Sequence, residues 1–198
     1  MRKEKDSMGE VLVPKDAYYG AQTQRAIDNF PISNRRIPST LIKSLGIIKR
    51  SAAIVNHQLG RLETSIKNAI VEASDEVISG KWDSHFVVDI YQTGSGTSSN
   101  MNTNEVISNR ANEILGEDLG SKNPVHPNDH VNLGQSSNDT FPSSINIAIC
   151  LDLELKLFPA LNALELELDK KINKFSDIIK IGRTHLQDAT PISLGQEF

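Results

Sequence analysis

Leu41, Leu45, Ile48, Ala52, Val55 and Leu59 recur at spacings of three and four residues, and Gly60 stops the run. That spacing marks one face of a helix. Ser39 and Thr40 stand before it as candidate N-caps. A second helix is predicted from Glu63 to Ser79, with Ile66, Ala69, Ile70, Ala73 and Val77 on one face and Gly80 as its C-terminal stop. A third is predicted from Met101 to Leu115, after the Gly-rich stretch "TGSGTSSN" at 93–100. From Ile145 to Leu157 the pattern conflicts with itself, because apolar residues alternate there as in a half-buried strand. The Leu, Glu, Lys and Ala content, and the continuation through Leu161, Leu164, Leu168, Ile172 and Phe175, favour one long helix bent at Pro159. On a helix the alternating residues spread around the whole circumference, which predicts cover by partner helices on several sides. Before Pro38 the pattern is weak: "GEVLVP" reads as a short strand and "DAYYGAQTQRAIDNFPIS" as an irregular arm with a helical turn. The whole reads as a mainly α chain, with a domain at 1–135 and the start of a second at 136–198.

Charge narrows the partners. The 198 residues carry 21 Lys+Arg against 25 Asp+Glu, a formal charge of −4, so no basic field advertises nucleic acid. The single cysteine, Cys150, has no internal partner and lies in an apolar run where burial is expected. The opening "MRKEKDSMGEVLVP" has no apolar signal core, and no stretch approaches the roughly 18 apolar residues of a membrane span. These features predict a soluble, cytoplasmic protein.

Three polar islands interrupt the helices. "TGSGTSSN" feeds a helix start, where free N–H groups and the positive end of the helix dipole attract an anion. It has neither the spacing of a P-loop nor that of a dinucleotide fingerprint. "HPNDHVNLGQSSND", residues 126–139, offers two histidines, two aspartates, three asparagines and two adjacent serines. His126 and His130 are four apart, but Pro127 and Asn128 between them argue against a helix, and no further cluster completes a metal site. A cap ahead of Pro142 needs one side chain, whereas Ser136, Ser137, Asn138, Asp139 and Thr140 are consecutive. The surplus points to a small anion. The third island, "GRTHLQDATPISLGQEF" at 182–198, sets His185 beside Arg183 and Thr184, where an imidazole can exchange protons near neutral pH.

Together "TGSGTSSNMNTNEV", "HPNDHVNLGQSSNDTFPSS" and "GRTHLQDATPISLGQEF" resemble, in order and spacing, the class II fumarase branch of the fumarase/aspartase superfamily. "EKDSMGEVLVPKDAYYGAQTQRAIDNFPIS" is similar to the N-terminal segment of the same enzymes. The resemblance implies a mostly helical N-terminal domain, then the start of a long central helix bundle, in a homotetramer. It implies reversible hydration of fumarate to (S)-malate with no metal or organic cofactor, and no nucleic-acid or membrane partner. It assigns Ser95, Gly96, Thr97, Ser136, Ser137, Asn138 and Thr184 to substrate contact and His185 to proton transfer. His126, Pro127, Asn128 and Asp129 match a loop associated with a second dicarboxylate site, at which Asp129 is expected to orient His126 or hold backbone N–H groups.

The same family is more than twice as long. The resemblance places its mobile loop with a catalytic serine, and a lysine and an asparagine for the substrate carboxylates, beyond residue 198, and draws each active site from three subunits. These 198 residues are therefore expected not to hydrate fumarate by themselves. Two rival readings stand beside the hydratase: an aspartate ammonia-lyase of the same superfamily, and a non-catalytic oligomerising or anion-binding fragment.

Overall fold

Two short strands open the chain. In the computed structural model, which describes all residues Met1–Phe198, β1 (Arg2–Asp6) pairs antiparallel with β2 (Gly9–Val13), Arg2 opposite Val13. β2 is the strand expected from "GEVLVP"; β1, with its run of charges, carries no strand pattern. Arg2 stitches the hairpin to the arm behind it, donating to the carbonyls of Pro14, Lys15, Ala17 and Tyr19. The arm ends in α1 (Ala21–Asn29), which has no cap of its own. Its first N–H groups go instead to two acidic side chains: Glu105 accepts from Gly20, Gln22 and Thr23, and Glu4 accepts from Ala21.

Helices α2 (Ser39–Gln58), α3 (Thr64–Ile78) and α4 (Thr97–Ile114) form the centre of this part. The expected stops hold, with Gly60 at φ +70° and Gly80 at φ +85°. Two details of α2 differ from expectation. Its N-cap position is Pro38 and no side chain caps it. Its buried face is also turned: Ile42, Leu45, Lys49, Ala53 and Asn56 point inward, while Val55 and Leu59 are exposed. Each packing helix lends a narrow apolar strip, so two polar residues on that face have to find buried partners.

Helix α4 departs further from binary patterning. Asn100, Asn102, Asn104, Asn109 and Asn112 are all buried, in a helix a polarity reading would leave in water. Most of these amides organise loops rather than helices. Asn112 exchanges two bonds with the Val125 backbone, Asn109 joins the Tyr18 carbonyl to the Gly120 N–H, and Asn102 does the same for His85 and Val87.

Glu76 ties α3 to α4. It accepts from Arg110 Nε at 2.6 Å, Lys81 Nζ at 2.6 Å and Trp82 Nε1 at 2.8 Å. Burial opposes its ionisation, but these three donors outweigh it and hold its pKa at about 2. A lowered carboxylate pKa contributes stability that is complete above the ordinary value near 4.5 and is lost as pH falls toward 2. Glu76→Gln is therefore expected to flatten the dependence of the unfolding midpoint on pH between those values. A midpoint that fell as steeply in the variant as in the parent would assign acid sensitivity to other carboxylates.

The chain forms two compact units, Met1–Ile149 and Cys150–Phe198. The division lies inside α5 (Ser137–Asp152). The predicted long helix is present but interrupted: α5 is followed by one wide turn at Leu153–Leu157, then by α6 (Phe158–Lys174). Pro159 stands at the start of α6, and its missing N–H and its ring disfavour an ordinary helical turn just before it. Cys150 is exposed rather than buried, and α6 buries no residue within the chain; Leu155, Leu161, Leu164 and Leu166 are all exposed.

A hairpin that the pattern did not predict closes the second unit. β3 (Ile179–Thr184) pairs antiparallel with β4 (Gln187–Ser193), with an irregularity in register between Ile181 and Arg183. After it, Leu194–Glu197 forms a short 3₁₀ turn with a capping box between Ser193 and Gln196. No helix is long and apolar enough to cross a membrane.

Candidate functional site

The first polar island is a strained turn. Ser95 at φ +65° and Gly96 at φ +67° both lie in the left-handed region, directly before Thr97 opens α4. Gly96 is required there, because a Cβ would meet the Phe141 ring at 2.2 Å. That contact packs the turn against α5. It also brings Thr97 Oγ1 within 2.9 Å of Ser137 Oγ, a hydroxyl pair at the first residues of two helices. Two helix N-termini thus present their positive ends and hydroxyl donors to one place, which suits a carboxylate.

Next to the turn lies an open groove of about 400 Å³, lined by Leu41, Ile90, Ser95, Gly96 and Phe141 among others. Its walls are largely apolar. Ser136 Oγ accepts from the Asn138 N–H at 3.2 Å, so Ser136 is spent on the local turn while Ser137 faces Thr97. Ser95 and Asn138 are exposed. Thr140 is buried and donates to Asn100 Oδ1 at 3.1 Å, tying the same two helix starts together from beneath.

The first half of the second island forms one wide helical turn, Pro127–Val131, where no helical turn was expected. His126 closes it: Nδ1 accepts from the N–H groups of Asn128 and Asp129 at 3.3 and 3.2 Å. The Asp129 carboxylate lies 3.2 Å from the same nitrogen. His130 Nδ1 accepts the His126 N–H, and burial lowers its pKa. In both imidazoles Nδ1 is engaged by backbone N–H groups.

Thr184 and His185 belong to the second compact unit. His185 occupies the two-residue turn of the β3–β4 hairpin with Leu186, which takes φ +57°, and both are exposed. Arg183 pairs across the hairpin with Asp188.

The sequence profile of the family described simply as lyase matches residues 9–198. The chain belongs to the lyase family. This lyase chain is 56% identical, over all its length, to the class II fumarate hydratase of Campylobacter jejuni, of which it covers 42%. It is likewise 56% identical to the mitochondrial fumarate hydratase of Saccharomyces cerevisiae, of which it covers 41%. The chain thus spans about two-fifths of the length of these relatives. Among solved structures it is similar to a class II fumarase from Schistosoma mansoni, with TM-score 0.95 and 48% identity, covering 99% of this chain and 41% of that one. A fumarate lyase:delta crystallin structure from Brucella melitensis superposes with TM-score 0.96 and 46% identity, covering all of this chain and 45% of that one. The expected N-terminal, class II fumarase-like helical fold is borne out.

Sequence reasoning missed one residue of this lyase's first unit. Lys49 is wholly buried, and its Nζ donates to Asn100 Oδ1, Asn132 Oδ1 and Gln135 Oε1 at 2.8, 2.9 and 2.9 Å. A readable signal existed: Lys49 sits four residues after Leu45 and four before Ala53, a charge on the apolar face of α2.

Proposed function

We propose that this chain contributes the N-terminal part, residues 1–135, and the start of the helix bundle, residues 136–198, of an enzyme that reversibly hydrates fumarate to (S)-malate. The observation that carries the reading is the Thr97–Ser137 hydroxyl pair at the meeting starts of α4 and α5. In this reading one substrate carboxylate lies against Thr97, Ser137 and Asn138, with Ser95, Gly96 and Ser136 shaping the turn around it. When a proton leaves the neighbouring carbon, negative charge moves onto that carboxylate, and donors already in place stabilise it without reorganising. His185, beside Thr184, exchanges the proton through water. The 126–129 turn would hold a second dicarboxylate apart from the reaction. Identity above one half to fumarate hydratases supports this substrate over aspartate.

Exposed Leu155, Leu161, Leu164 and Leu166 support a homotetramer in which α6 packs on copies of itself. A large aliphatic side chain left in water forgoes about 1.5 to 3 kcal/mol of burial. Leu161→Lys with Leu164→Lys is therefore expected to turn a self-associating chain into a much smaller species by light scattering. A parent chain that stayed monomeric at high concentration would remove this support. A cytoplasmic location belongs to the same proposal, supported by a lone unpaired cysteine.

The test of the reaction is a product assay. The active assembly containing this chain, given fumarate with and without ammonia, is expected to form malate in both cases. Aspartate instead would favour the ammonia-lyase reading, and no product at all would favour the non-catalytic one.

A further inference from the structure

Lys49 stands in the core without a carboxylate. An ammonium has three donors and no acceptor, and three amide oxygens complete its shell. They come from different segments: Asn100 from the first turn of α4, Asn132 from the end of the 127–131 turn, and Gln135 from the residue before Ser136. Two of the acceptors extend the network. Asn100 Oδ1 also accepts from Thr140 in α5, and Asn132 Oδ1 also accepts from Asn100 Nδ2. Burying a cation carries a desolvation cost that three neutral amide oxygens offset without a counter-charge. What the charge does is gather the elements that carry Thr97, Ser136, Ser137 and Asn138.

We propose that Lys49 is a positioning residue of the dicarboxylate site: its ammonium fixes the starts of α4 and α5 and the Asn132–Gln135 segment in one geometry, and that geometry requires Lys49 to be protonated. This rests on the lyase reading above. Loss of the proton leaves two donors and a lone pair for three oxygens. The Asn100 and Asn132 oxygens keep second donors and Gln135 Oε1 has none, so the three contacts can no longer all be held and one of the segments before Ser136 or α4 is released. Burial alone lowers the pKa of Lys49, to about 7. The groups facing its Nζ from α4 and the 127–135 segment are the three amides.

The sign of the effect separates positioning from plain structure. Protonated Lys49 predominates below about pH 7 and is lost as pH rises through that value, so the site is ordered on the acid side. Global stability runs the other way. The unfolded chain keeps this proton up to about 10.5, so stability rises across that window even as the site loosens.

The experiment measures kcat/KM for fumarate against pH in the active assembly, for the parent, Lys49→Met and Asn132→Asp. The parent is expected to show an alkaline limb. Lys49→Met should lose about tenfold or more in kcat/KM and lack the limb. Asn132→Asp sets a carboxylate on the ammonium and should move the limb upward by about 1 to 3 pH units. A limb unmoved by Asn132→Asp overturns the proposal, including where Lys49→Met fails to fold. If the parent itself does not turn over fumarate, the lyase reading fails, and amide exchange at residues 132–140 decides separately on Lys49. Protection falling as pH rises through about 7 supports the role, and constant protection overturns it.

Discussion

His185→Asn, made in the active assembly, is expected to lower turnover on the order of 10²- to 10⁴-fold while dicarboxylate affinity changes only a few-fold. Asparagine keeps a short polar group at the hairpin tip between Thr184 and Leu186, so the shape of the turn survives. What it cannot do is gain and lose a proton near neutral pH. His126→Asn provides the contrast. His126 spends Nδ1 on the N–H groups of Asn128 and Asp129, an acceptor task that an asparagine oxygen can take over. Turnover is expected to stay near the parent level. Steady-state kinetics that moved alike in both variants would refute the division of labour between the two histidines.

Gly96→Ala is expected to cost the first unit about 2 to 5 kcal/mol and to remove activity with it. The left-handed backbone costs an L-residue roughly 1–2 kcal/mol. Overpacking a filled space adds about 1–3 kcal/mol more. Here the clash is severe, with three atoms of the Phe141 ring within 2.4 Å of the new carbon. Phe141 cannot move away cheaply, because it belongs to the start of α5 that Ser137 and Thr140 tie to α4. Gly94, two residues earlier, is the control: a Cβ there meets nothing within 4 Å, and Gly94→Ala should be nearly neutral. Chemical denaturation of the two variants reads the difference. Equal midpoints would show that the turn can shift, and that the hydroxyl pair is not held by this packing.

The two glycines also show the limits of reading the chain. In "TGSGTSSN" they are equivalent letters, and only the packing of Phe141 separates them. Helices α2 and α3 were legible because their apolar residues recur at helical spacing and end at Gly60 and Gly80. The inward face of α2 was misjudged because Lys49 and Asn56 lie on it, and their cost is offset by amides distant in sequence. The third helix was found, but its burial was not, since its asparagines bond loops whose positions no local pattern records. The β3–β4 hairpin was hidden by its irregular register and by Pro191 inside β4, both of which break strand alternation. The meeting of hydroxyls at two helix starts, from which the anion site is proposed, was suggested by residue type and position alone. The lysine beneath them was not.

One crystal structure of the active assembly with fumarate bound tests the proposed dicarboxylate site most directly. A substrate carboxylate is expected within hydrogen-bond distance of Thr97 Oγ1, Ser137 Oγ and the Asn138 side chain of one copy, with Thr184 and His185 of another copy at the reacting carbons. Fumarate seated only on the 126–129 turn, or in contact with none of these residues, would contradict it.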